Sequence, residues 1–329
     1  MANGDRWRTS SPLRQQKRVY KRVMLRIAHI SDTHVLSHAG TKWREMLFNK
    51  RITGYANTLL RRSRVHRRDY LLAVLRAAAQ AADHVVVTGD ITNLSLESEF
   101  EEARALLDTM RSDITVIPGN HDIYLPSTHR DRRFPHHFGT FMQSDLPEYA
   151  IDLPAGAFPC VKLRGAAAII ALSSAVPRPP FIAAGYLGRE QLDGLRRVLE
   201  HPEVARRTPV VLVHHAPMDA RPRWQQLRDG LVDAAGLRET LMPLQRGLVL
   251  FGHIHVRVQS TLRTNAGALD VVSASGAALD HPDPSIRAGF NQYDIDGEGR
   301  VVRIAAMAVD PSNASSMMIA NIRDHRESV

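Results

Sequence analysis

Cysteine is almost missing from this sequence: Cys160 is the only one in 329 residues. One thiol closes no intramolecular disulfide and cannot build a cysteine-based zinc site. Any metal must be held by other side chains, and the usage fits a reducing cytoplasm. Also missing is a run of about 18 apolar residues, the least a membrane-crossing helix needs. The first 22 residues contain Arg6, Arg8, Arg14, Lys17, Arg18, Lys21 and Arg22, with no apolar stretch and no cleavage site. They do not read as a secretory leader. No repeat and no linker divides the chain, so one two-sheet domain in the cytoplasm is expected.

Acidic residues are scarce at one end. Residues 1–70 hold 17 Lys and Arg against four acids, whereas the rest hold 26 against 30. The net charge of +9 therefore comes from a basic N-terminal region on a mildly acidic body. Such asymmetry points to an anionic partner on one face. Residues 1–22 read as a flexible basic tail. Within 41–68, Phe48, Ile52, Tyr55 and Leu59 recur at helical spacing, and Arg44, Arg51 and Arg62 fall near another face. That is a basic amphipathic helix, or two broken at Gly54, suited either to an anionic membrane surface or to packing on the body. The run lacks the interleaved aromatics that stack on bases, which argues against a nucleic-acid partner.

Short β-rich runs alternate with helical stretches. "MLRIAHIS" (24–31), "HVVVTGD" (84–90) and "DITVIPGNHD" (113–122) read as strands with their exits, and 70–82 and 96–110 as helices between them. The β-α-β-α-β order predicts an α/β core with a parallel sheet. Prolines punctuate 123–160, which reads as a long irregular insertion. Strands resume at 166–174, 209–217 and 247–256, with a helix over 188–200. Four later runs, from "VRVQSTLRT" to "VVRIAAMAV", are expected to form a second, more antiparallel sheet, and 311–329 a C-terminal tail.

Five polar segments each follow a strand: "SDTH" (31–34), "GD" (89–90), "GNHD" (119–122), "HH" (214–215) and "GHIH" (252–255). Open α/β sheets bind ligands outside the carboxyl ends of their strands, so the five should converge. Asp32, His34, Asp90, Asn120, His214, His253 and His255 supply oxygen and nitrogen donors. Mixed carboxylate and imidazole ligation suits Mn, Fe or Zn better than Ca or Mg. The donors outnumber what one ion takes, so two ions are expected, with Asp90 on a central strand as their bridge. In extended backbone, residues two apart share a side, which would let Asp32 and His34 face one ion and put His253 and His255 near both. Gly89, Gly119 and Gly252 would let the backbone turn sharply there.

The ordered set D-x-H, GD, GNHD, H and GHxH resembles the calcineurin-like metallophosphoesterase superfamily over about residues 24–308. The resemblance implies a four-layer α/β/β/α sandwich with a dinuclear metal centre. It implies that Asp32, His34, Asp90 and His255 hold one ion, and that Asp90, Asn120, His214 and His253 hold the other. It implies that His121 acts beside the phosphate and that Asp122 orients it. The family often has "HHPP" where this chain has "HHAP". His214 is taken as the ligand because it directly ends its strand, with His215 the alternative.

The expected chemistry is cleavage of a phosphodiester by in-line attack of a hydroxide bridging two cations. Protein Ser/Thr phosphatases of this superfamily read GDxVDRG, unlike "GDITNLSLESEF" here. "GDITN" followed by "ESEF" resembles instead the small bacterial phosphodiesterase branch, with cyclic nucleotides or glycerophosphodiesters as substrates. A lipid-directed pyrophosphatase acting on UDP-diacylglucosamine is a more distant resemblance, and a non-enzymatic membrane- or protein-binding scaffold is the alternative outside catalysis. A lipid reading would place the protein peripherally on the inner face of the membrane through 41–68.

Overall fold

The computed structural model describes residues 24–37 and 66–324. The basic tail 1–22 and nearly all of the basic insertion 41–68 lie outside the described residues. Strand β1 (Leu25–Ile30), helix α1 (Arg68–Ala81), strand β2 (His84–Val87), helix α2 (Glu97–Asp108) and strand β3 (Asp113–Val116) alternate as their patterns predict. In α1, Tyr70, Leu71, Val74, Leu75 and Ala78 are buried at helical spacing, so one stripe of the helix meets the sheet. In α2 the buried Glu99 carboxylate accepts the backbone N–H groups of Asn93, Leu94 and Leu96 at 3.3, 2.8 and 3.1 Å. It thereby ties the loop leaving β2 to the start of the helix.

The insertion expected to be irregular is structured in small pieces. It contains α3 (Pro126–Arg130), α4 (Arg133–Phe138), two single helical turns (Gly139–Met142 and Pro147–Tyr149) and a hairpin of β4 (Ile151–Leu153) with β5 (Gly156–Phe158). Pieces this short show no readable period. The chain continues through β6 (Cys160–Arg164), β7 (Ala167–Ala171), α5 (Arg189–Glu200), α6 (Pro202–Ala205) and β8 (Thr208–Leu212). Then come α7 (Arg223–Asp229), α8 (Ala234–Leu241), β9 (Leu248–Phe251), β10 (Val258–Arg263) and β11 (Ala268–Ser273). The last strands are β12 (Gly289–Ile295), β13 (Val301–Asp310), β14 (Asn313–Ala320) and β15 (Arg323–Asp324).

Two sheets hold nearly all of these strands. One runs β14-β13-β12-β1-β2-β3, the other β15-β10-β11-β9-β8-β7-β6. The four late runs therefore do not make a sheet of their own. β10 and β11 extend the second sheet, with β11 parallel to β9, while β12 pairs antiparallel with β1 and brings β13 with it. The tail expected from residue 311 is corrected as well, because Asn313–Ala320 pairs antiparallel with β13. The Asp310 carboxylate turns the chain between them by accepting the Ser312 N–H at 2.9 Å.

Alternation along β7 shows the layering. Ala167, Ile169 and Ala171 join the core between the sheets, and Ala168 and Ile170 join the core under α5 and α8. With α1 and α2 on the far side of the first sheet, the result is a four-layer α/β/β/α sandwich. β1, β2 and β3 are mutually parallel, as are β7, β8 and β9, so the two parallel cores each present a set of carboxyl ends.

Candidate metal centre

All five polar segments leave those carboxyl ends. The exits are not extended backbone. Asp32, His34, Asp90, His253 and His255 have φ of 52°, 41°, 50°, 68° and 56°, the left-handed region that non-glycine residues rarely enter. The expectation of same-side projection from extended segments is corrected: each donor is aimed by a left-handed turn. Backbone of this kind costs roughly 1–3 kcal/mol per residue and collects at functional sites. Backbone bonds hold the turns, with the Asp32 N–H donating to the Gly89 carbonyl at 2.9 Å and the His34 N–H to the Asp90 carbonyl at 3.0 Å.

Of the three glycines, Gly89 alone turns with a positive φ, of 96°. Gly119 and Gly252 are there for room: a Cβ at Gly119 would overlap the Asp90 carboxylate, and one at Gly252 the Ser31 hydroxyl.

Asp32, His34, Asp90 and His255 each bring a donor atom within 4.8 Å of the others. His255 Nε2 lies 3.0 Å from Asp32 Oδ1 and 3.2 Å from His34 Nε2, and His34 Nε2 lies 3.9 Å from Asp90 Oδ2. The other Asp90 oxygen faces the second group. Its Oδ1 is 3.4 Å from His214 Nε2 and accepts the His121 N–H at 2.7 Å. Asp90 thus stands between two donor sets, one oxygen toward each.

The second set is resolved by its outer hydrogen bonds. The Thr88 carbonyl takes the His214 Nδ1–H at 2.7 Å, and the Asp229 carbonyl takes the His253 Nε2–H at 2.8 Å. A carbonyl only accepts, so the neutral rings keep their lone pairs on His214 Nε2 and His253 Nδ1. These nitrogens lie 3.2 and 3.0 Å from Asn120 Oδ1. With both rings neutral, as metal ligation requires, three lone pairs converge here, and a cation between them would satisfy all three. His215 is near, but both its nitrogens are engaged elsewhere: the Ala183 carbonyl takes Nε2–H at 2.8 Å, and Nδ1 meets the Ser174 hydroxyl at 2.8 Å. By distance alone His215 groups with His214 and His253. Its hydrogen bonds turn it away from the donor set.

The electrostatics favour added positive charge. Burial opposes charging of His214, yet the Asp90 and Asp32 carboxylates overcome it and push the ring up to about 9. Burial, then the neighbouring His214, drives His253 down to about 4. Two buried carboxylates, the buried imidazoles of His34 and His214, the half-buried ones of His253 and His255 and the half-buried Asn120 amide oxygen make a set that fits two borderline-soft cations.

His121 lies beside both sets, its ring edge-on to His34 at 4.9 Å between centroids and stacked on Tyr124 at 5.5 Å. What orients it differs from the expectation. The Asn93 carbonyl accepts its Nδ1–H at 2.6 Å. Asp122 instead accepts the N–H groups of Ile91, Thr92 and Gly119 at 3.1, 2.7 and 2.9 Å and the Thr92 hydroxyl at 2.9 Å. It ties the loop carrying His121 to the loop carrying Asp90. Burial and the Asp90 charge push its carboxyl up to about 7 against those bonds. Sequence reading missed Thr88, Asn93 and Asp229, which act through backbone carbonyls that no residue type marks. It also missed His66, whose ring meets His34 edge-on at 5.3 Å.

The family described as Calcineurin-like phosphoesterase matches residues 25–257. The chain is 32% identical over 96 residues to the glycerophosphodiester phosphodiesterase GpdQ of Enterobacter lignolyticus (strain SCF1), covering 29% of each protein. It is 27% identical over 261 residues, 78% of this chain and 72% of the other, to a protein of Rhodococcus erythropolis (strain PR4 / NBRC 100887) named "Probable cyclic nucleotide phosphodiesterase". Among solved structures, a dimetal phosphatase from Danio rerio superposes with a TM-score of 0.51 at 11% identity, over 91% of this chain and 99% of that one. Purple acid phosphatase PPD1 from yellow lupin superposes with a TM-score of 0.53 at 11% identity, over 92% and 55%. At such identities the two structures speak to the fold alone.

Proposed function

Since the chain belongs to the calcineurin-like phosphoesterase family, we propose that it is a dinuclear metal-dependent phosphodiesterase. The observation that carries this is Asp90, with Oδ2 toward His34 and Oδ1 toward His214. Asp32, His34, Asp90 and His255 would hold one cation, and Asp90, Asn120, His214 and His253 the other. Bound there, Mn, Fe or Zn would acidify water and balance the charge of a phosphate.

The chain's own residues do the rest. His121 is held at Nδ1 by the Asn93 carbonyl, so it exchanges a proton only through Nε2. That atom serves to steady charge on the phosphate or to protonate the departing oxygen. Asp122 keeps His121 and Asp90 in register by binding the backbone of both loops. The substrate class is a cyclic nucleotide or a glycerophosphodiester. The "GDITN…ESEF" run and the names of the two relatives support it. An anionic membrane surface met through 41–68 is a further element of the proposal and rests on sequence pattern.

The test is a screen of Mn-loaded protein against cyclic nucleotides, glycerophosphodiesters, UDP-diacylglucosamine and bis(p-nitrophenyl) phosphate, with metal content measured alongside. Two equivalents of metal with diester turnover support the proposal. Preferred cleavage of UDP-diacylglucosamine would move it to a lipid-directed pyrophosphatase, and metal-free, inactive protein to a scaffold. His121→Ala is expected to lower kcat by about 10²–10⁴ while both metal equivalents remain. Equal turnover in variant and wild type would remove His121 from the chemistry.

A further inference from the structure

Apolar side chains gathered on a surface mark a contact. Phe181, Tyr186, Trp224, Leu227 and Val232 are all exposed, Phe181 by 81% and Trp224 by 61%. All five lie on two segments whose backbones pair with each other. The Ala183 N–H donates to the Arg228 carbonyl at 2.7 Å, the Gly185 N–H to the Gly230 carbonyl at 2.9 Å, and the Val232 N–H to the Gly185 carbonyl at 3.0 Å. The flap so formed, 176–186 with 217–232, carries α7, none of whose residues is buried. Trp224 and Leu227, three apart, share one face of that helix.

The flap borders the metal centre. Its Ala183 and Asp229 carbonyls hold His215 and His253. Ile254, also exposed, stands between His253 and His255. The charge on this rim is positive outward. Arg221, Arg223 and Arg228 are exposed, whereas the Asp219 and Asp229 side chains are 10% and 24% exposed; Arg221 pairs with both at 2.7 and 2.8 Å and Arg228 with Asp229 at 2.9 Å, so three guanidinium groups over two less exposed carboxylates leave one positive charge in excess. Aromatic rings with guanidinium groups beside them match the headgroup region of an anionic bilayer, where rings sit at the interface and arginines meet phosphates.

We propose that this flap seats the protein on an anionic lipid surface, turning the metal centre toward phosphoesters carried there. The docking stands on the flap alone; the second half of the statement rests on the phosphodiesterase reading above.

The chain has three tryptophans, Trp7, Trp43 and Trp224. With Trp7→Phe and Trp43→Phe in the full chain, Trp224 becomes the sole emitter. Its emission is expected to shift to the blue with vesicles of phosphatidylglycerol and phosphatidylcholine, and not with phosphatidylcholine alone. In vesicle co-sedimentation, Phe181→Ser combined with Trp224→Ser is expected to lower partition about tenfold or more. Trp224→Phe should retain it. Unmoved emission, or equal partition of the double variant and wild type, overturns the proposal. So does a concentration-dependent dimer that the double variant abolishes, since a second copy then covers the flap. Turnover of soluble bis(p-nitrophenyl) phosphate by the same wild-type preparation reports on the catalytic reading separately: its absence would sink that reading and leave the docking result standing.

Discussion

Two adjacent histidines, His214 and His215, are both fully buried and chemically identical, yet their surroundings give them opposite tasks. His214 spends Nδ1 on the Thr88 carbonyl and aims Nε2 at Asn120 and Asp90. His215 spends both nitrogens on the wall behind. His214→Ala is therefore expected to lose one metal equivalent and most turnover. His215→Ala should keep both equivalents and instead lower the urea midpoint, because it leaves a cavity and two unpaired partners, worth about 2–4 kcal/mol. Metal analysis of the two purified variants separates the roles; loss of metal from the His215 variant alone would reverse them. Gly119 gives a second residue-scale test. A Cβ there overlaps the Asp90 carboxylate and backbone N, so Gly119→Ala must displace that carboxylate. Metal affinity is expected to fall, with about 1–3 kcal/mol of stability lost to overpacking. Calorimetric titration with Mn on the variant checks both.

At the scale of elements, the two sheets are clamped at their outer edges by charge as well as by the core between them. Asp113 opens β3, the edge of the first sheet, and meets Arg164 Nε at 2.5 Å and Lys162 Nζ at 3.4 Å on β6, the edge of the second. The nearly buried Lys162 also donates to the Ile114 carbonyl at 2.6 Å. The His84 imidazole, and then the Arg164 guanidinium, hold the Asp113 carboxyl far below the usual carboxylate range against partial burial. A folded-state value below the unfolded one of about 3.9 means that this stability is complete above about pH 4 and is lost as pH falls toward the folded value. Asp113→Asn is expected to cost about 1 kcal/mol at pH 7, a modest figure because the carboxylate is more than a third exposed. The gap in urea midpoint between wild type and variant should narrow from pH 7 to pH 3. A gap that stays constant would assign the clamp to packing.

Elements also show where legibility ended. β2 is a run of valines that must be buried, and α1 keeps an apolar stripe at helical spacing, so both can be read without a fold. The pieces of 126–158 are three to six residues each, shorter than any period can report. β14, with "NASSMMIA", pairs on one side only and has a mostly unburied face, so nothing in its composition distinguishes it from a tail.

On the scale of the whole molecule, the candidate metal centre lies where the two sheets meet. Asp32, His34, Asp90 and Asn120 come from exits of the first sheet, and His214, His253 and His255 from exits of the second. A cation pair there would hold the sheets together from the ligand edge. Binding to the native state alone adds RT ln(1 + [L]/Kd), about 2.7 kcal/mol at a hundredfold excess over Kd. Chelation is expected to lower Tm by about 5 °C or more, and Mn should restore it. A thermal shift assay with a chelator and back-titration decides this; an unchanged Tm would mean that the sheets close without the cations.

Sequence alone determined the donor types of the candidate site and the fold class. Five polar motifs, each behind a β-branched run, carry the donor types and the α/β class, because strand burial and donor chemistry are local properties of residues. Tertiary structure decided the rest. It set which sheet each late strand joins, because pairing is a contact between distant segments. It decided that His214 rather than His215 faces Asp90, and that Asn93 rather than Asp122 orients His121, because these bonds end on backbone carbonyls with no sequence signature. It also gathered Phe181 and Trp224, 43 positions apart in the chain, onto one exposed rim.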